Sequence, residues 1–445
     1  MLPPLELYAL VLRWVQALEV VATGSSAGAV AALLTALLVG QSLWPSALMR
    51  ALPSPGACLA RSRYQRVARA WLRPWLSSAH LTPPLVRAVG TLAPVPRGGP
   101  LAGLTHLALD TVRCGGWEVF VVGVVWHGRV VPLAWAVLPY PLPKGQFTPT
   151  VCALLRQVAA AWPAERPLHL VADRAFASGR LLRLLRALRW GYTLRLRARL
   201  HLQVGGQERA VPELWAAAPA ERWSVQPAQY GRGAQAVSGT LVLGKGRWLV
   251  PAHQATPGSL RHRARQQARR AHDLRTKRPG RPQAAAPASD RWVVLFSTHP
   301  VGWVAALSYR QRWAIEGTFR DLQSGWDGQH GWGLERLLAH WGAARTTVER
   351  LVGLSALGLL LQCWLGEALG RPTVPAGVAA VRQEWTTTGR LSVWARGHLA
   401  LTEPTGRLRP WLCATLAEGA EQLRAAGGST PTPAARAAGR TPQAA

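Results

Sequence analysis

Aspartate is scarce in this sequence. Six occur, at 110, 173, 273, 290, 321 and 327, and two interrupt runs that otherwise read as apolar strand: Asp110 in LALDTV and Asp173 at the end of LHLVAD. A carboxylate in such surroundings is costly unless it has a partner. Helix capping fits Asp173 less well than Ser178, which lies nearer the next helical pattern, and fits Asp110 poorly because it sits inside a strand. A buried ion pair with arginine is the structural alternative.

A second group of chemically capable residues lies in ALSYRQRWAIEGTFRDLQSGW. Tyr309, Arg312, Glu316 and Gln323 stand at offsets 0, 3, 7 and 14. At about 100° per residue they fall near 0°, −60°, −20° and −40°, so one helix over 301–323 would carry them on one stripe. Such a stripe is either a solvated face or a polar wall of a site, with Trp313, Ile315 and Phe319 packing around it. Three carboxylates, Asp110, Asp173 and Glu316, suit a hard divalent cation such as Mg²⁺. Two such ions about 3.5–4 Å apart can assist both the attacking and the leaving oxygen in phosphodiester displacement. His106 and His169 flank the two aspartates in sequence and read as structural. No G-x-x-x-x-G-K-[ST] motif is present, so nucleotide hydrolysis is unsupported.

The elements that must position these residues follow from patterning. Residues 1–90 read as helices, with apolar segments near 5–23 and 28–40 and an Arg-rich one at 61–76, where Arg63, Arg66 and Arg69 share a face. Residues 91–103 are a Pro/Gly linker. From 104 to 140 three apolar runs are separated by tight turns, which predicts three consecutive strands. A helix over 147–162, a strand over 168–173, an amphipathic helix over 178–190 and a strand over 191–200 complete the order β-β-β-α-β-α-β. The last strand alternates apolar residues with arginine, so a half-buried strand with a basic outer face is expected. Residues 201–257 are strand-like, 259–282 form a basic loop, 291–298 return to strand, and 333–369 are helical.

Composition bounds the partner. The 445 residues carry 52 basic against 21 acidic side chains, a net charge of +31, and only Lys144, Lys245 and Lys277 are lysines. GC-rich codons favour arginine, but the shortage of acids is harder to explain that way, and a surplus of this size points to a polyanion. With 49% hydrophobic residues the chain can build a core. Five scattered cysteines without a C-x-x-C exclude a zinc ribbon and a disulfide framework, and fit a reducing compartment. The start lacks a basic signal region, and the apolar run 29–39 is shorter than the roughly 20 residues of a bilayer span. It reads as a buried helix, as does 351–361.

LALDTV, VADRAF and YRQRWAIEGTFRDLQS together resemble the DDE transposases of bacterial insertion sequences, in the subgroup with a β-rich insertion and a Y-x2-R-x3-E-x6-K signature. The likeness covers about 100–330. It implies an α/β fold: a ribonuclease-H-like catalytic core interrupted by a β-rich insertion, with flanking helical regions. It implies a DNA transposase that cleaves phosphodiesters at element ends and transfers strands to target DNA. Asp110, Asp173 and Glu316 would be the catalytic, metal-binding triad, holding two Mg²⁺ ions, with Mn²⁺ as a substitute. Tyr309, Arg312, Gln323, Arg320 and Trp292 would contact DNA. The partners implied are double-stranded DNA, as terminal inverted repeats and as target, and a second copy of the chain in a homodimer on DNA; no membrane is implied, and the location is cytoplasmic, at the bacterial nucleoid.

The organisation expected from the resemblance is a helical DNA-binding region at 1–90, a first core part at 104–200 and an insertion at 201–298. A core helix with Glu316 at 299–330, a helical region at 331–425 and a disordered tail at 426–445 follow. Two positions depart from the pattern. Gln323 replaces the signature lysine, with Arg320 one turn back, and Ala175 replaces the usual glycine after Asp173-Arg174. Two alternatives remain: a nuclease of the same fold without strand transfer, and a decayed transposase that only binds DNA.

Overall fold

The computed structural model of the chain describes residues 3–20, 24–53, 60–71, 74–197, 199–219, 223–245, 292–323, 332–334, 337, 344–386, 392–402 and 406–427. The basic loop expected at 259–282 and residues 428–445 of the tail lie outside them. Two compact units are present, Met1–Val171 with Gln311–Ala445, and Ala172–Arg310.

The first unit begins with α1 (Pro4–Ala17), α2 (Gly24–Gly40), α3 (Pro45–Ala51), α4 (Ala60–Trp71) and α5 (Ser78–Leu92). Three strands follow, β1 (Thr105–Cys114), β2 (Trp117–Trp126) and β3 (Arg129–Pro139), then α6 (Phe147–Ala161) and β4 (Leu168–Ala172). The hairpin turns are short because their residues tolerate left-handed backbone: His127 and Gly128 take φ of 43° and 84°, and Gly115 takes 58°. Strands β1, β2 and β3 pair antiparallel, with Asp110 opposite Val121, and the strand order is β3-β2-β1-β4.

The second unit holds α7 (Gly179–Ala187), β5 (Gly191–Arg195), β6 (His201–Val204), β7 (Gln207–Ala210), α8 (Val211–Ala217), β8 (Trp223–Tyr230), β9 (Val237–Lys245), β10 (Trp292–Ser297) and α9 (Gly302–Arg310). Its strands run in the order β5-β10-β9-β8-β6-β7, with antiparallel pairing throughout. Val242, Val293, Leu295, Ala305 and Tyr309 form a core, with Trp223 packed against it.

The chain then re-enters the first unit with α10 (Trp313–Gln323), α11 (Arg345–Gly370), α12 (Ala376–Thr386), α13 (Val393–Thr402) and α14 (Arg409–Gly427). Helix α11 is long and apolar enough to cross a membrane, yet 94% of its apolar window is buried inside the protein. It packs on α13 and β3, and α10 lies against β1 and β3.

Three local expectations are corrected. The helical pattern over 301–323 is two helices, broken at Gln311 and Arg312, so the four-residue stripe is not one helix face. The reason is packing: Tyr309 is buried in the core of the second unit, whereas Ile315 and Phe319 are buried in the first. Trp313 is not buried beside the stripe; it is 60% exposed, with Arg312 Cζ 6.0 Å from its ring centroid. The strand expected over 191–200 ends at Arg195, and Tyr192, Thr193 and Leu194 are all buried, so both of its faces are covered.

Candidate metal and phosphate site

In the first unit, Asp110 sits in the middle of β1, where burial gives way from the fully covered Thr105–Leu109 to a partly open stretch. Its Oδ1 accepts the Thr111 backbone N–H at 2.9 Å. Its Oδ2 accepts from Arg312 Nη1 at 3.1 Å. The other guanidinium nitrogen, Nη2, donates to Glu316 Oε1 at 2.6 Å. Arg312 has only 9% of its side chain exposed, against 20% for Asp110 and 44% for Glu316. One cation is thus shared between two carboxylates, and the trio keeps a formal charge of −1. The ion pair foreseen as the structural alternative for Asp110 is present, and it includes Glu316 as well.

Glu316 is placed by anchors that sequence reasoning missed. Thr318 Oγ1 accepts the Val130 N–H at 2.7 Å and donates to the Val130 carbonyl at 3.3 Å, which ties α10 to β3. Asp321, one turn further on, pairs with Arg129 Nε, with only 2% of the Asp321 side chain exposed. Burial raises the Asp321 pKa above the ordinary carboxylate value, opposed by the Arg129 charge and hydrogen bond. No local pattern marks a pair 192 positions apart; the one available signal was an aspartate on the helix that carries Glu316.

The second unit holds Asp173, just past β4. Its Oδ1 accepts the Tyr309 hydroxyl at 3.2 Å, and Arg195 Nη1 lies 3.9 Å away. Ser178, and not Asp173, caps α7, accepting from the Leu181 N–H at 3.3 Å. Trp292 opens β10 opposite Lys245 in the strand register. In the first unit Arg320 is exposed on α10, and Gln323 closes that helix half-buried, its carbonyl accepting from the Gly333 N–H at 3.0 Å. His106 and His169 are both buried, with ring centroids 5.3 Å apart.

Among the described residues no three His, Cys, Asp or Glu side chains are gathered as a cation site. The pair formed by Asp110 and Glu316 nevertheless fits a divalent ion in its chemistry. Both are hard oxygen donors, both already converge on one positive group, and together they are undercompensated by it.

A search of the curated proteins finds no match to the chain. Residues 143–342, just under half of the sequence, match the family model described as a transposase DDE domain. The matched stretch includes Asp173, Tyr309, Arg312, Glu316 and Gln323 and begins after Asp110; over it, the chain is similar to the DDE domain of transposases.

Proposed function

We propose that the protein is a DNA transposase of an insertion sequence, which cleaves phosphodiesters at the element's ends and transfers the freed strands to target DNA. One observation carries this reading: the shared grip of Arg312 on Asp110 and Glu316, with the arginine and the glutamate inside a stretch similar to transposase DDE domains. The net charge of +31 supports duplex DNA as the partner.

In this reading Asp110, Asp173 and Glu316 hold Mg²⁺, as two ions, with Mn²⁺ as a substitute. The ions supply Lewis-acid stabilisation of the charge that develops on phosphate oxygens. The chain's own groups prepare the carboxylates. The Thr111 N–H fixes one oxygen of Asp110 and leaves the other turned to Arg312. The Tyr309 hydroxyl orients Asp173. Arg312 offsets part of the carboxylates' charge until the anionic backbone arrives, and its guanidinium fork suits phosphate equally well. Arg320, Gln323 and Trp292 are proposed as further DNA contacts. Gln323 donates hydrogen bonds but brings no charge, so it holds a phosphate less strongly than a lysine. The fold reading is a ribonuclease-H-like core with a β-rich insertion, acting as a homodimer on DNA.

The test is Mg²⁺-dependent cleavage and joining of duplexes that carry the inverted repeats flanking the coding sequence. Asp110→Asn, Asp173→Asn and Glu316→Gln are each expected to abolish cleavage while DNA affinity remains. Cleavage retained in any of the three overturns the triad. Cleavage without joined products gives a nuclease instead, and DNA binding without cleavage by the wild-type chain gives a DNA-binding protein only.

A further inference from the structure

The second unit carries a concentration of charge that the proposed chemistry does not use. From Arg174 to Gln207 the sequence contains eight arginines and no acidic residue. Helix α7 buries Leu181, Leu182 and Leu185. Arg180, Arg183 and Arg186, three apart, therefore form a ridge on its other side, rising about 4.5 Å per step. Arg180 and Arg186 are exposed, and so is Arg189, one residue past the end cap of the helix. The next basic group is attached to the same unit. Arg197 Nε donates to the Arg174 carbonyl at 3.1 Å and its Nη2 to the Ala175 carbonyl at 3.3 Å. This fastens the loop that bears exposed Arg174 to the chain leaving β5, where Arg199 is exposed as well.

We propose that the exposed arginines of this unit, Arg174, Arg180, Arg186, Arg189, Arg197 and Arg199, make a surface that binds the phosphate backbone of duplex DNA without reading its sequence. An ordinary solvated surface intersperses both signs of charge; this one has a single sign over 34 consecutive positions. Like charges held together destabilise a folded unit unless a polyanion compensates them. The choice between polyanions follows from the helix. Leu181, Leu182 and Leu185 are committed to the core of the unit and Leu184 is half-buried, so α7 has no exposed apolar face to enter a lipid surface, and what it offers is chiefly charge. Arginine forks match phosphate oxygens bidentately, which suits a backbone groove or ridge better than a diffuse anionic surface.

The assignment rests on the DNA-processing reading, and the experiment separates the two. The full-length protein is titrated with a labelled 30-base-pair duplex of arbitrary sequence over a series of salt concentrations. Each phosphate contact contributes about −0.9 to the slope of log affinity against log salt. The triple variant Arg180→Gln/Arg186→Gln/Arg189→Gln is expected to flatten the slope by about 2–3 and to lose affinity equally on duplexes of unrelated sequence. The matching triple lysine variant, which keeps the charges, is expected to hold its slope within about one of the wild type. Melting temperatures of both variants identify any loss through unfolding. A slope unchanged in a folded glutamine variant, or a loss on one sequence only, overturns the surface and leaves the cleavage chemistry standing. Cleavage retained in the carboxylate variants, with the salt slope behaving as described, overturns the catalytic reading and leaves the surface standing. No duplex binding by the wild-type chain overturns both.

Discussion

Arg312 donates to Asp110 at 3.1 Å although the two residues stand 202 positions apart in sequence. The contact lies within the first unit, between the middle of β1 and the turn that opens α10, and the same guanidinium reaches Glu316. Arg312→Gln removes the only charge of opposite sign in that trio and leaves two carboxylates facing the vacated space. The variant is expected to melt at a lower temperature than wild type without divalent ions. Millimolar Mg²⁺ is expected to raise its melting temperature by more than it raises that of wild type, because a cation now relieves repulsion that the arginine had relieved. Equal Mg²⁺ shifts in both proteins would count against carboxylates that share one cation.

The buried pair of Arg129 and Asp321 holds α10 on β3. Arg129→Met leaves the buried Asp321 carboxylate without its hydrogen-bonded partner and with only the more distant charge of exposed Arg320 beside it, and a loss of about 3–5 kcal/mol is expected in denaturant titrations. Arg129→Met combined with Asp321→Leu removes both charges and is expected to recover most of that loss. If the double variant is as unstable as the single one, the pair matters through packing and not through charge.

His299 gives the second unit a dependence on pH. Desolvation lowers its pKa from the ordinary histidine value, and its Nε2 lies 3.2 Å from Ser308 Oγ. The folded imidazole binds a proton less readily than the unfolded one. Stability therefore rises with pH through the interval between the lowered value and about 6.5, and is lost as pH falls through it. His299→Gln is expected to flatten this part of the stability profile. The check is the unfolding midpoint measured every half unit from pH 5 to 8; a wild-type midpoint that does not move in that range contradicts the expectation.

Helices α11 and α13 meet backbone to backbone. A Cβ built on Gly397 would lie 1.8 Å from the Gln362 carbonyl oxygen, and one on Gly366 would lie 1.7 Å from that of Val393. Neither neighbour is a flexible side chain, so the helices themselves must part. Gly397→Ala is expected to cost at least the 1–3 kcal/mol typical of overpacking, roughly, even though alanine favours helix. Thermal melting of Gly397→Ala beside Gly377→Ala, whose Cβ would meet nothing within 4 Å, tests this directly; a similar change in both variants would remove the argument.

Much of the local architecture was legible in the residues. The runs of 104–140 alternate with turn residues that accept left-handed backbone, and β1, β2 and β3 follow that pattern. Ser178 announced α7 by its position before an amphipathic repeat. Helix α5 was harder to single out, because Pro83 and Pro84 lie inside it and prolines usually end a helix. The break between α9 and α10 left no trace in periodicity, since both halves keep the helical repeat and only the choice of core differs. The carboxylates were conspicuous because acids are rare here. What they touch was not, because Arg312, Arg129 and Thr318 find their partners across long stretches of chain, and no local rule reports such contacts.

The break at Gln311 and Arg312 has an effect on how the Tyr309–Glu316 segment responds to stress. Its first residue lies in one compact unit and its last in the other, seven positions later. Where the two units open separately, denaturant too weak to melt the whole chain is expected to release the tyrosine and spare the glutamate, or the reverse. Amide exchange along this short stretch would then show two protection levels meeting at a single peptide, with the weaker one setting when the motif ceases to act as a whole.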